Sequence, residues 1–328
     1  MASDSQHTAA SSTVTQYILR RLIQSLFIVW GAATLVFFMI RLIPGDPVVQ
    51  MLGVEYTPEA AEALRHKLGL DQPLHVQYVR WFSNVLRGDL GGSIASGETV
   101  AEAIASGLPK TLSLAALSFL IALIIAVPAG IIAGLRRNSA LDYFGSIVAF
   151  VGVSMPSFWF GIILILIFAV KLRWLPAIGY SELAEDGFVE WFKRLILPSI
   201  AIGTGYAAIL MRFVRAGLLE VLASDYVRTA RAKGARERTV VIRHALRNSL
   251  IPVVTVAGIQ LALLLSGAVV TETVFSIRGL GRILVGAIND RDYPIVQGVI
   301  LLIAVIFVMA NLIVDVVYTF LDPRIRYS

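Results

Sequence analysis

The feature that most constrains this chain is the spacing of its charges. Six stretches run for 17 to 28 residues without a single Asp, Glu, Lys or Arg: 22–40, 111–135, 143–170, 195–211, 248–271 and 293–314. A hydrocarbon layer about 30 Å thick is crossed by roughly 20 helical residues rising about 1.5 Å each. Backbone groups inside that layer must be satisfied within the protein, and a helix does this within one segment. The chain therefore reads as an all-α polytopic membrane protein with six transmembrane helices. The shortest gap extends past Arg212 through Ala216–Leu219. The longest is too long for one upright span and too short for two with a turn. Ser154-Met155-Pro156 lies within it, and an internal proline removes a helical hydrogen bond, so the reading is one long, bent helix.

Composition agrees. Apolar residues (AVILMFWYC) make up 57% and charged residues 15%, against about 25% charged in soluble domains. That excludes an ordinary cytosolic enzyme, a nucleic-acid module and a disordered protein. With no cysteine, thiol catalysis, disulfide frameworks and Cys-type zinc sites are excluded together.

Orientation follows from the basic residues. With the N-terminus inside, segments 1–21, 135–142, 212–248 and 321–328 hold 15 Lys+Arg and 6 Asp+Glu. The opposite segments 41–110, 171–194 and 272–293 hold 13 and 15. Both termini are then cytoplasmic. The resulting organisation is a cytoplasmic tail 1–21, a first transmembrane helix 22–40, an extracytoplasmic helical segment 41–110 and a membrane core 111–320. The core has spans 111–135, 143–170, 195–219, 249–271 and 294–320, a cytoplasmic loop 220–248, and a C-terminal tail 321–328. The first 15 residues are polar and Ser/Thr-rich and read as a disordered tail. Arg20-Arg21 before an apolar run resembles a signal-peptide start, but that run is too long and ends in no small-x-small site, so it reads as a retained span.

Outside, Thr57-Pro58 predicts a helix start and Gly69 its end. A second helix is predicted from His75 to Leu86, with Val76, Val79, Phe82 and Leu86 as its apolar stripe. These helices either cover the mouth of a membrane path or pack only among themselves. His66 and His75 lack partners at metal-ligand spacing and read as surface residues.

Tests for chemistry fail. There is no Gly-x4-Gly-Lys-Ser/Thr loop, no Gly-x-Ser-x-Gly elbow and no His-Glu-x-x-His, and Gly279-Leu280-Gly281 lacks a third glycine. No catalytic, cofactor-binding or metal site is predicted on this chain, and residues lining a substrate path cannot be named. Asp315, one turn beyond Asn311, either belongs to a proton relay or reaches the nearby interface.

The densest signal is cytoplasmic. Segment 212–248 carries nine basic residues around Ser224-Asp225-Tyr226-Val227-Arg228-Thr229-Ala230-Arg231-Ala232-Lys233-Gly234. Ser224 or Asp225 supplies an N-cap, Gly234 the stop, and about two helical turns lie between. Tyr226, Ala230 and Gly234 form a sparse face that another protein's backbone can approach, flanked by Arg228, Arg231 and Lys233. The competing reading is a basic amphipathic loop resting on anionic lipid. A second amphipathic stretch, 240–246, leads to Asn248 and Pro252 at the fifth span.

That segment, together with Arg243-His244-Ala245-Leu246-Arg247-Asn248-Ser249-Leu250-Ile251-Pro252, resembles the coupling loop of ABC-importer permeases, more narrowly the dipeptide/oligopeptide permease family. The resemblance runs from Arg20 through nearly the whole chain. It includes Arg41-Leu42-Ile43-Pro44-Gly45-Asp46-Pro47, Leu68-Gly69-Leu70-Asp71-Gln72-Pro73 and Gly88-Asp89-Leu90-Gly91. It continues with Ser154-Met155-Pro156-Ser157-Phe158-Trp159, Glu272-Thr273-Val274-Phe275 and Asp322-Pro323-Arg324. Two positions depart: Arg278 stands where the family usually has Pro, and Glu98-Thr99-Val100 where a Pro-Val pair is common.

The resemblance implies a type I importer carrying di- or oligopeptides, located in the cell membrane. It implies a second homologous permease, two ATPase subunits holding ATP and Mg, and an extracytoplasmic peptide-binding protein, with no role for nucleic acid. Carried onto this chain, Asp225, Tyr226, Arg228, Thr229, Ala230, Arg231, Ala232, Lys233 and Gly234 would dock on an ATPase, while Pro128, Pro156 and Pro198 are either bend points or static kinks. Alternatives are another cargo (nickel, glutathione or an oligosaccharide), a proton-coupled transporter working alone, or a membrane anchor without a path.

Overall fold

A computed structural model describes residues 2–42, 46–53 and 56–321. Among them the chain is helical apart from loops and one isolated bridge between Gly92 and Thr99. In order the helices are α1 (Ala2–Leu42), α2 (Pro47–Leu52), α3 (Pro58–Leu68), α4 (Leu74–Leu86), α5 (Val100–Leu135), α6 (Ala140–Ser154) and α7 (Ser157–Leu164). Then come α8 (Gly187–Leu222), α9 (Asp225–Ala232), α10 (Glu237–Thr239), α11 (Arg247–Gly267), α12 (Val269–Val274), α13 (Leu280–Asn289) and α14 (Tyr293–Leu321). Two seven-residue segments, Ile165–Lys171 after α7 and Val240–Leu246 before α11, wind as π-helix.

Four helical stretches are long and apolar enough to cross a membrane unbroken: Arg20–Leu42, Val100–Leu135, Gly187–Leu222 and Tyr293–Val314. Two bent pairs, Ala140–Ser154 with Ser157–Lys171 and Glu237–Leu250 with Pro252–Leu264, complete six crossings if each pair is one span. The third charge-free stretch bends more than its sequence suggests. Its halves meet at 102°, because Met155 leaves the helical region (φ −88°, ψ 122°), the conformation favoured before proline. Pro252 sits at a 46° bend, whereas Pro128 and Pro198 stay inside unbroken helices. At the N-terminus α1 extends back to Ala2, where disorder was expected; growing an existing helix avoids the cost of nucleating one.

The membrane core is built on α5 against α8, two helices of 36 residues each. Small residues let their axes approach. A Cβ at Gly130 would lie 2.6 Å from that of Val214, one at Gly134 would lie 3.0 Å from a Leu218 methyl, and one at Gly203 would lie 2.7 Å from the Ser118 carbonyl oxygen. The extracytoplasmic half is filled by Leu114, Leu195, Leu197, Leu264, Phe275 and Ile277, all buried.

In the segment expected outside the membrane, α3 matches its sequence signals. Thr57 accepts a bond from Ala60 N, and Gly69 takes φ +67° to end the helix. His66 and His75 are exposed, as expected of surface residues. In α4 the packed face differs from the expected stripe: Tyr78, Trp81 and Phe82 cluster on Phe37 and Phe38 of α1, leaving Val79 and Leu86 exposed. Aromatic rings bury more area than valine or leucine and take the contact. The fold starts α5 eleven residues before the charge-free stretch, through a capping box in which Thr99 and Glu102 bond each other's backbone. Glu98 and Arg278, the two departures from the family's pattern, pair at 3.1 Å. Of the quoted motifs, Ile43–Gly45 and Asp322–Arg324 lie outside the described residues.

The N-terminus of α13 has no cap of its own. Glu272 on α12, fully buried, accepts from Thr111 Oγ1 (2.6 Å), from Arg282 N (3.0 Å) and from Gly281 N. Thr111 in turn accepts from Leu280 N (2.9 Å), so residues on α12 and α5 satisfy three successive amides of α13.

Candidate functional site

The turn between α8 and α11, which the charge pattern places in the cytoplasm, gathers the residues singled out in the sequence. After α8, Ala223 and Ser224 reverse the chain. Ser224 takes the extended conformation of an N-cap, but its hydroxyl donates backward to the Val221 carbonyl (2.6 Å) instead of capping. Past Lys233, Gly234 takes φ +78° and ends the helix, a conformation that side chains oppose.

Helix α9 is rolled relative to the expected docking face of Tyr226, Ala230 and Gly234. Its one branched aliphatic side chain, Val227, is fully buried beside that face, whose Tyr226 and Gly234 remain exposed. Val240, Val241 and Ala245 of the π segment are buried too, and the segment packs against α9 and α8. Ala230 is half-buried, and the Tyr226 hydroxyl donates to the His244 carbonyl (3.2 Å) and accepts from Asn248 Nδ2 (2.9 Å). The outward face is Asp225, Arg228, Thr229 and Ala232, all exposed. These positions lie within about 100° of one another at 3.6 residues per turn.

Two of the cations are paired. Arg228 pairs with Asp225 one turn earlier. Arg231 Nε and Nη2 donate to the two Glu237 carboxylate oxygens at 3.1 and 2.7 Å, closing the loop across Gly234. Thr229 Oγ1 donates to the Asp225 carbonyl (2.9 Å), and Lys233 is exposed. A short helix with a fixed roll and ordered charges can report a push along its axis; a loop lying loosely on lipid could not.

Sequence reasoning missed the second anchor. Arg215 of α8 grips Asp142 at the start of α6 side-on, with Nε to Oδ1 at 2.6 Å and Nη2 to Oδ2 at 2.8 Å. Asn138 N donates to the same carboxylate at 3.0 Å, and Asp142 is 3% exposed. The partners are 73 residues apart, so no local pattern marks them. Arg215→Met is expected to cost about 3–5 kcal/mol by stranding the Asp142 carboxylate, and Asp142→Asn in the same chain to recover much of it. Thermal unfolding of the single and double variants checks this. Asp315, the intramembrane carboxylate noted in the sequence, has a side chain outside the described residues.

The chain is similar to known proteins over most of its length. Residues 126–327 match the family model described as binding-protein-dependent transport system inner membrane component, and residues 14–115 match its N-terminal counterpart. A probable peptide ABC transporter permease of Sinorhizobium fredii is 42% identical over 311 residues, covering 95% of this chain and 99% of the relative. A dipeptide transport system permease of Alkalihalophilus pseudofirmus is 42% identical over 330 residues, with the same coverage. A glutathione transport system permease of Escherichia coli is 44% identical over 315 residues, again covering 95% and 99%. Among solved structures, an inward-facing methionine ABC transporter superposes with a TM-score of 0.56 at 19% identity, over 67% of this chain and 96% of that one.

Proposed function

The chain belongs to the family of binding-protein-dependent transport system inner membrane components, and from that premise we infer that it is the membrane-spanning permease subunit of an ATP-driven importer of short peptides. The relatives named for peptide, dipeptide and glutathione transport share one cargo chemistry, a short peptide. The chain forms one half of the path and leaves ATP hydrolysis to separate subunits that carry ATP and Mg. An extracytoplasmic binding protein delivers the cargo, and a homologous permease completes the path.

The observation that carries the coupling role is the roll of α9. Buried Val227 and the Tyr226 hydroxyl fix one side of the helix to the bundle, while Asp225, Arg228, Thr229 and Ala232 face away from it. In this reading that outward face sits in a cleft on an ATPase subunit. ATP-driven closure pushes α9, and the push passes directly into α8 and through the π segment into α11. Arg215 and Asp142 carry it to α6. Rigid elements moving about a few hinges give alternating access.

The chain contains no cysteine, so each introduced thiol is its only one. With a maleimide–succinimidyl ester reagent that joins a thiol to a lysine amine, Thr229→Cys and Ala232→Cys are expected to cross-link to the ATPase in membranes, while buried Val227→Cys is expected not to. Absence of cross-links from both outward positions in a complex that still imports dipeptide would overturn the docking role.

A further inference from the structure

A cavity of about 460 Å³ lies where the outer ends of α1 and α14 meet α4 and the Gly91-Gly92 turn. Its lining includes Arg41, Gln77, Arg80, Trp81, Tyr293 and Gln297, and among the described residues contains no Asp or Glu. Arg41 is half-buried, with its guanidinium 3.5 Å above the Phe37 ring. It donates to the Phe37 carbonyl (2.8 Å) and twice to Gln77 Oε1 (3.3 and 3.2 Å). Gln77 is itself locked, donating to the carbonyls of Leu70 and Gln72. That uses three of the guanidinium's five N–H groups and gives it no carboxylate partner among the described residues. The second observation is Gln297, 4% exposed, whose Nε2 has no hydrogen-bond partner. A partly desolvated cation without a counter-ion and a buried amide without an acceptor both raise the free energy of the empty site. Both are offset by one oxyanion.

The surroundings say where the oxyanion comes from. On α4, Val79 and Leu86 are 65% and 73% exposed, and seven residues apart they lie on one line of the helix. Arg80 and Arg87 form the adjacent line, also exposed. The apolar line is continuous in kind with exposed Phe38, Met39 and Leu42 at the outer end of the first span, against which α4 packs. A helix with an apolar line beside a basic one, packed against the end of a membrane span, is built to lie in the membrane interface.

We propose that α4 rests on the outer leaflet and that the cavity beside it holds the phosphate of a phospholipid headgroup, bound between Arg41, Arg80 and the Gln297 amide. The anchored lipid fixes the extracytoplasmic helices to the bilayer plane. The proposal requires α1 to span the membrane and does not depend on which cargo is carried.

The test uses the full chain, purified in detergent and stripped of lipid, with thermal unfolding read against three probes. Dihexanoylphosphatidylglycerol below its micellar concentration is expected to raise the unfolding midpoint by a few degrees with saturation. Inorganic phosphate and dialanine at the same concentration are expected to do little. Arg41→Gln and Gln297→Leu are expected to weaken the lipid effect about tenfold each, the worth of one charge-assisted or buried hydrogen bond. Because Gln297→Leu removes an unpaired amide, it folds at least as well as the parent if the cavity is empty, and it tests binding even if Arg41→Gln fails to fold. The proposal is overturned by no shift with the lipid, by an equal shift with phosphate or with dialanine, or by an unchanged lipid response in Gln297→Leu.

Discussion

Replacing Glu272 with alanine is expected to produce the largest loss of stability of any single change in the extracytoplasmic half. The carboxylate is fully buried and takes the Thr111 hydroxyl and the amides of Gly281 and Arg282. Its removal leaves those donors without acceptors, at about 1–3 kcal/mol for each buried group, and opens a cavity besides. The neighbourhood offers no replacement, because Gly279 and Gly281 lack side chains where the carboxylate packs: a Cβ on either would press on Glu272 oxygens. Glu272→Gln is the informative intermediate. Thr111 accepts from Leu280 N and has a second lone pair, so the glutamine NH2 can donate to Thr111 while its oxygen accepts from the α13 backbone; what is lost is the strength that a charged acceptor gives those bonds. The order expected in thermal unfolding is wild type, then Gln, then Ala, with peptide uptake falling in the same order. An alanine variant with the parent's midpoint would refute this capping role.

The second large effect is functional. A Cβ at Gly217 would lie 2.7 Å from the Ser249 carbonyl oxygen, a contact between the last turns of α8 and the first turn of α11. Because the obstacle is backbone, it cannot move aside as a side-chain tip can. Gly217→Val is expected to cost about 1–3 kcal/mol and to force the two helices apart at the point where both connect to α9. The larger consequence is for transport: the ATPase still binds, but α9 is misplaced and uptake falls to background. Gly286→Ala is the control. Nothing lies within 4 Å of its added carbon, and alanine is the better helix former, so that variant is expected to match or slightly exceed the parent. Uptake at the parent's rate in Gly217→Val would show that this crossing does not set the position of α9.

Local signals in the chain corresponded closely to local structure. Charge-free stretches marked the spans because hydrocarbon excludes charge wherever the span lies in the fold. Thr57-Pro58 and Gly69 bracketed α3, because caps are decided by a few neighbouring residues; in α9 Gly234 marked the end, while neither Ser224 nor Asp225 caps the start with its side chain. The Thr99-x-x-Glu102 box was equally readable and would have extended α5 outward. Orientation about a helix axis was harder. In α4 and α9 the inward face went to the side chains that bury the most area, Tyr78 with Trp81 in one and Val227 in the other. Long-range pairs were not readable at all. Glu98 and Arg278 are 180 residues apart, and as separate departures from a pattern they gave no hint that they meet.

The close approach of α5 and α8 has a further consequence. Where glycine lets two helices touch along their length, sliding or separating them breaks many contacts at once, so that pair travels as a single body. Any rocking between inward and outward shapes must then be absorbed where helical hydrogen bonding is already interrupted. Among the described residues two such interruptions also bend a span by more than 40°, the 102° corner at Pro156 and the 46° bend at Pro252. A machine of this kind keeps its beams stiff and lets only its elbows turn.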